Sequence, residues 1–228
     1  GATYKFESWY VARDDINIYN SMATLSVIPH YNSGSHSWSL NSQSGYRLGP
    51  AIDRWVDPAS PPANAMNTEL ASSEGHVKVA VKATDNGNGT WTYNYAVMNL
   101  DYARAVVQSA PASGGPDPRV VSNKGFDSFS IPLPAGATVA ATQFRNGTLD
   151  SASQWGVNVG SDSVTWSTHA RTGVPVPVAP KRPTLDWGTL YSFSITVNKA
   201  PGSGSSSLHV ATSGTPSAYS VATLVPSG

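Results

Sequence analysis

Cysteine is absent from this 228-residue sequence, and charged side chains are scarce. Without cysteine the protein has no disulfides and no thiolate metal ligands, so packing and hydrogen bonds must hold it together. Lys and Arg total 14, Asp and Glu also total 14, and charged residues make up only 12% of the chain. This balance provides no basic surface for nucleic acid. No apolar run approaches the ~18 residues of a membrane-spanning helix, so we expect no membrane insertion.

Hydroxyl side chains and turn-forming residues take the place of the missing charge. Ser occurs 32 times, Thr 18 times, Gly 20 times and Pro 17 times. The 39% of hydrophobic residues is enough for a core, and the length suits one large all-β domain or two small ones. We assign residues 1–228 to a single β-sandwich domain, with 1–45 as a loosely attached N-terminal segment or strand-exchange arm.

The composition also indicates a compartment. The first residues, Gly-Ala-Thr-Tyr, are similar to the run that follows a removed signal peptide. Low charge with abundant Ser, Thr, Asn and Gly is typical of secreted bacterial β proteins. The sequence therefore predicts an extracellular protein at a bacterial cell surface.

The clearest predicted element is a β-hairpin between His76 and Leu100. Apolar residues alternate first at Val77, Val79, Val81 and Ala83 and again at Trp91, Tyr93, Tyr95 and Val97. This period of two predicts half-buried strands, and residues 85–89, DNGNG, form the turn because they tolerate positive φ. The same residues resemble part of a calcium loop, but they lack its closing Glu, and turn chemistry explains them.

Short apolar runs separated by turn residues recur along the rest of the chain. Further strands are predicted at 4–11, 16–28, 37–40, 126–131, 137–144, 154–159, 163–167, 187–197, 206–211 and 219–225. About ten short strands predict an all-β antiparallel β-sandwich, jelly-roll or immunoglobulin-like, with almost no helix. The weak helical candidates are 50–56 and 64–72. Residues 109–123 and the Pro-rich 174–183 are predicted to be irregular, and 201–204 is predicted to be a turn.

Residues 76–226 contain a series of distinctive motifs: TDNGNGTWTYNYAVMNLDYAR at 84–104, FSIPLPAG at 129–136, SVTW at 163–166, LDWGTLYSFSITV at 185–197 and GTPSAYSVATL at 214–224. This series resembles a family of uncharacterised secreted bacterial β-domain proteins. The resemblance implies a secreted, sandwich-like module and carries no activity. Members of the family often have a His- and Asp-rich stretch after the PLPAG-type turn. Here residues 138–149, TVAATQFRNGTL, contain neither residue.

Candidates for catalysis and metal binding are few. The histidines are His30, His36, His76, His169 and His209, and without paired spacing they are expected on the surface or in loops. The local carboxylate pairs are Asp14 with Asp15, Asp53 with Asp57, and Glu69 with Glu74. A polysaccharide-active enzyme needs two carboxylates facing each other, and we retain that activity as a second alternative. We predict no catalytic residue, no metal and no cofactor.

Seven Trp and ten Tyr are the strongest sign of a ligand site. Trp38, Trp55 and Trp155 lie near predicted turns, so we expect them to be exposed and name them as candidates for stacking on sugar rings. Trp91, Trp166 and Trp187 alternate within strands and are expected in the core. A glycan-binding module, with a polysaccharide as partner, is therefore the first alternative function.

The leading hypothesis is a non-catalytic structural protein that associates with itself, as a surface or filament subunit. An N-terminal strand can complete the sheet of another subunit by strand addition. The assembly candidates are Tyr4, Phe6, Trp9 and Val11. Low charge favours this function because it weakens the repulsion between like subunits.

Overall fold

The computed structural model describes residues 2–10, 15, 17–108, 119–169 and 182–228. The chain divides into two compact units, Gly1–Asp57 and Pro58–Gly228. The assignment of one domain with residues 1–45 loosely attached stays a prediction, because two compact units can still fold together as one domain.

The N-terminal unit is one small antiparallel sheet with a short helix. Its elements are β1 (Tyr4–Trp9), β2 (Met22–Asn32), β3 (Ser37–Ser42), β4 (Arg47–Leu48) and α1 (Ile52–Trp55). β2 is central, and Val27 pairs with Tyr4 of β1 on one side and with Ser42 of β3 on the other. β4 pairs with the first part of β2.

The C-terminal unit contains two five-stranded antiparallel sheets and a two-stranded hairpin. Its strands are β5 (Ala65–Ser72), β6 (Gly75–Asp85), β7 (Trp91–Asn99), β8 (Arg104–Gln108), β9 (Arg119–Lys124), β10 (Phe126–Pro132), β11 (Val139–Arg145), β12 (Gly156–Val159), β13 (Ser163–Ser167), β14 (Thr189–Val197), β15 (Pro201–Val210) and β16 (Ala218–Pro226). The first sheet has the order β12-β13-β10-β15-β16 and the second β11-β14-β7-β6-β5, while β8 pairs with β9.

The two larger sheets share one core. Phe129 of β10 and Phe193 of β14 lie with ring centroids 4.6 Å apart, although they belong to different sheets. The hydroxyl of Tyr95 on β7 donates to the carbonyl of Leu224 on β16 at 2.9 Å, which satisfies a buried polar group across the core. The predicted all-β antiparallel sandwich is therefore confirmed, with one four-residue α-helix and one 3-10 turn in the described residues.

Most local predictions are confirmed, and the exceptions have physical causes. β6 and β7 form the predicted hairpin, with Gly87 and Gly89 at positive φ. Of the helix predicted at 50–56, only Ile52–Trp55 is helical, as α1. The helical candidate at 64–72 is wrong, because this segment pairs along its whole length with β6 and tertiary pairing outweighs the helix propensity of its side chains.

The predicted turn at 201–204 is also wrong. These residues begin β15, where Pro201 is tolerated as the first residue of a strand. The glycines allow close packing, since a Cβ at Gly204 would lie 2.4 Å from Cγ2 of Val225. The predicted loop 109–123 ends earlier than expected because β9 begins at Arg119. Residues 109–118 of that loop, and 174–181 of the Pro-rich stretch, lie outside the described residues.

Candidate assembly surface and polar clusters

The sheet of the N-terminal unit has two chemically different faces. Side chains of directly paired residues point to the same face, so the register assigns each position. One face, here called the apolar face, carries Tyr4, Phe6, Ala23, Leu25, Val27, Pro29, Tyr31, Trp38, Leu40 and Leu48, together with the two serines Ser8 and Ser42. None of these side chains carries a charge.

The centre of the apolar face is buried, but its periphery is open to solvent. Leu25 and Val27 are buried, while the large side chains around them are exposed. Trp38 is the most exposed of these, at 69%, and its ring lies 5.1 Å from that of Tyr31. A sheet face of this kind normally packs against a second layer, and exposed apolar patches mark interaction sites.

The opposite face carries the charges of the sheet and contacts α1. Nε of Arg54 donates to Oγ1 of Thr24 at 3.0 Å. The backbone N–H of Ala51 donates to Oε2 of Glu7 at 2.5 Å. Burial raises the pKa of the Glu7 carboxyl and outweighs the Ala51 hydrogen bond, which lowers it, while the nearby Asp53 carboxylate adds to the increase. The part of this face around Thr24 and Glu7 is therefore covered by α1 and the residue before it.

Two edges of the same sheet lack a strand partner. Within the described residues, no strand pairs with the outer edge of β1 or with that of β3. β3, of sequence SWSLNS, is exposed along its whole length and has no charge and no proline. Charges and prolines are the usual protection of edge strands against pairing with other chains. β3 is therefore an unprotected template for strand addition.

The structure separates the predicted assembly residues into two groups. Tyr4 and Phe6 lie on the apolar face. Trp9 pairs with Met22 and lies half-buried on the opposite face. Val11 lies outside the described residues. β1 pairs with β2 of its own chain.

The predicted sugar-stacking residues lie in three different environments. Trp38 is exposed on the apolar face, and Trp55, the last residue of α1, is 36% exposed. The expected exposure of Trp155 is wrong. It is 4% exposed, because its indole stacks on Phe144 at 5.4 Å and its Nε1–H donates to the carbonyl of Pro183 at 2.8 Å.

The tryptophans expected in the core are also divided. Trp166 is fully buried and Trp91 is half-buried, but Trp187 is 45% exposed. The prediction for Trp187 is wrong because the strand expected from residue 187 begins only at Thr189. Trp187 lies in the turn before this strand, where its side chain is open to solvent.

In the C-terminal unit, two histidines share one carboxylate. Nδ1 of His209 lies 2.7 Å from Oδ1 of Asp127, and Nε2 of His169 lies 3.3 Å from Oδ2. The histidine spacing does not reveal this cluster, because Asp127 lies in β10, His169 follows β13 and His209 lies in β15, so the three residues are far apart in sequence. The only signal in the sequence is an aspartate inside the apolar run FDSFSI of β10. In the part of the chain that the structure describes, no group of three or more His, Cys, Asp or Glu is arranged to hold a metal ion.

The local carboxylate pairs differ in their surroundings, and Asp14 of the pair Asp14 with Asp15 lies outside the described residues. Glu74 pairs with Arg104, whereas Glu69 lies exposed on β5 opposite Lys78. Asp53 and Asp57 line one cleft of the N-terminal unit. Asp85 is used by the hairpin turn, where its Oδ1 accepts from the backbone N–H of Gly87 at 2.8 Å.

None of the described helices is long and apolar enough to cross a membrane. Comparison of the chain with family models, with curated proteins and with solved structures gave no match.

Proposed function

We propose that this protein is a non-catalytic, extracellular structural subunit that associates with itself through the apolar face of its N-terminal unit. The observation that carries the proposal is the uncovered set of aromatic and aliphatic side chains on one side of a single sheet. The secreted-type composition supports the extracellular location.

A second copy of the chain suits this surface. Two identical uncharged faces can pack on each other without leaving a buried charge unpaired. Sheets stack face to face at about 10 Å, with interdigitating side chains, so two such units would form a sandwich between them. A contact of this type is isologous, since each copy contributes the same residues.

The size of the apolar face limits the strength of this contact. β1 pairs only with residues 22–27 of the eleven-residue β2, while β4 and β3 pair with residues 23–24 and 27–32 on its other side. From these strand lengths and the spacing between strands, the face covers roughly 300–400 Å². A stable complex buries about 800 Å² on each partner, so the face alone gives weak, concentration-dependent association. Pairing of β3 from one copy with β1 of the next adds backbone hydrogen bonds. Because these edges differ, such pairing is heterologous, and it extends into a filament when the rotation between copies does not close a ring.

A matched pair of substitutions tests the proposal. Leu40 on the apolar face is 51% exposed and Ile28 on the opposite face is 53% exposed. Sedimentation velocity and electron microscopy of the full chain, over a wide concentration range, should show association of the wild-type protein. Leu40→Ser should weaken it tenfold or more, and Ile28→Ser should leave it nearly unchanged. Monomers at every wild-type concentration, or equal effects of the two substitutions, would contradict the proposal.

Glycan binding remains a second candidate, and the Tyr31–Trp38 pair is the observation that favours it. The rings are inclined at 47° and lie on the same exposed face. The faces of such rings attract the C–H groups of a sugar. If this candidate is correct, titration with neutral oligosaccharides should change the Trp fluorescence of the wild-type protein. The change should be lost in the Trp38→Ala variant and kept in the Trp187→Ala variant.

A further inference from the structure

A cleft in the N-terminal unit concentrates charge in a protein that has little of it. The cleft measures about 240 Å³ and is lined by Lys5, Arg47, Arg54, Asp53 and Asp57, together with three hydroxyl residues and Leu25. It is smaller than the ~300–1,000 Å³ pockets that hold drug-sized ligands, so it accommodates a single ring or a short chain.

The cations of the cleft are bonded mainly to neutral oxygens. Nζ of Lys5 donates to Oγ of Ser26 at 2.6 Å, and the guanidinium of Arg54 donates to Oγ1 of Thr24 and to the carbonyl of Leu48. These hydrogen bonds hold the side chains in place without neutralising their charge.

Arg47 is the most available of the three cations. Its backbone pairs with Thr24 in the β4–β2 ladder, which places the residue on the charged face of the sheet. In the described part of the chain, its guanidinium has no hydrogen bond and no ion pair. An arginine fork binds a carboxylate with two parallel hydrogen bonds.

The balance of charge selects the ligand. The three cations of the lining exceed its two carboxylates by one, and the Glu7 carboxyl lies beside Asp53 on the same face, so a single carboxylate suits the cleft better than a phosphate dianion. Asp53 and Asp57 can accept hydrogen bonds from hydroxyl groups of a ligand. We infer that the cleft binds a sugar acid, with its carboxylate at Arg47 and Lys5 and its hydroxyls at Asp53 and Asp57.

Calorimetric titration of the full chain with D-glucuronate at low ionic strength tests this site. We expect saturable binding in the millimolar range, weakened by added NaCl because the contact is electrostatic. D-glucose, which lacks the carboxylate, and acetate, which lacks the hydroxyls, should each bind at least tenfold more weakly.

Arg47→Gln should weaken glucuronate binding tenfold or more, whereas Arg145→Gln, which removes an exposed arginine of β11, should have no effect. Circular dichroism checks that both variants fold, and Arg47→Lys, which keeps the charge, should retain part of the affinity. Absence of glucuronate binding, or equal binding by the two Gln variants, would overturn the inference. Self-association is measured separately by sedimentation. Arg47→Gln should leave self-association unchanged, because Arg47 lies on the face opposite the apolar face.

Discussion

The guanidinium of Arg104 donates two hydrogen bonds to the carboxylate of Glu74, from Nε at 2.6 Å and from Nη2 at 2.5 Å. The hydroxyls of Tyr102 and Tyr219 donate to the same carboxylate at 2.8 and 3.0 Å. The Arg104 hydrogen bonds are the largest cause that lowers the pKa of Glu74 to about 2, against the opposing effect of burial. Glu74 thus connects the β5–β6 turn to β8 and β16.

This lowered pKa predicts a loss of stability in acid. As pH falls from about 4.5 to about 2, the unfolded state binds a proton at Glu74 before the folded state does, so the free energy of unfolding decreases. At neutral pH, Glu74→Gln should cost about 2 kcal/mol, because hydrogen bonds to a charged group are lost. Urea unfolding between pH 7 and pH 2.5 measures both effects. Glu69→Gln, at an exposed carboxylate, is the control, and equal acid sensitivity of wild type and Glu74→Gln would contradict the prediction.

Substitution of Trp155 should affect stability, because its indole belongs to the core. Trp155→Ala should cost about 3–5 kcal/mol, since it leaves a cavity against Phe144. Trp155→Phe retains a ring but leaves the carbonyl of Pro183 without its donor, and should cost about 1–2 kcal/mol. Chemical unfolding followed by near-UV circular dichroism measures these losses. Trp187→Ala, at an exposed tryptophan, should cost less than about 1 kcal/mol; a similar cost at both positions would argue against the packing described for Trp155.

Gly125 should tolerate no side chain. A Cβ at this position would lie 2.1 Å from the carbonyl oxygen of Leu185 and 2.5 Å from Nδ2 of Asn99. Both are fixed, because Leu185 pairs with Phe126 and Asn99 is fully buried. Gly125→Ala should therefore destabilise the C-terminal unit by about 2–3 kcal/mol. Gly160→Ala, where the nearest atom is at 3.4 Å, is the matched control in thermal unfolding. Equal melting temperatures for the two variants would refute this account.

Local sequence pattern was sufficient where large apolar residues alternate with smaller or polar ones. The valines of β6 and the tyrosines of β7 alternate, so the hairpin could be placed from sequence. The half-buried character predicted for these strands is wrong, because intervening residues such as Lys78, Ala80 and Ala96 are buried as well. Where apolar residues do not alternate, the local structure predicted from the sequence was wrong. Residues 201–207, PGSGSSS, have the composition of a turn, but they form the start of β15 because β16 pairs with them and Val225 packs over Gly204.

The candidate surface was only partly predictable. Tyr4 and Phe6 could be named because they alternate along an N-terminal strand. Their union with Tyr31, Trp38 and Leu40 on one face depends on the register between β1, β2 and β3, which no local pattern specifies.

From the sequence alone, the absence of cysteine and the scarcity of charge leave apolar packing and hydrogen bonds to hold the protein together, and the alternating apolar runs between turn residues indicate an all-β fold. Only the tertiary structure decided where the few charges and aromatic rings meet. Asp127 lies beside His169 and His209, and Arg47 shares a cleft with Asp53 and Asp57. Antiparallel pairing joins residues that are distant along the chain, and local periodicity contains no information about which strands become neighbours.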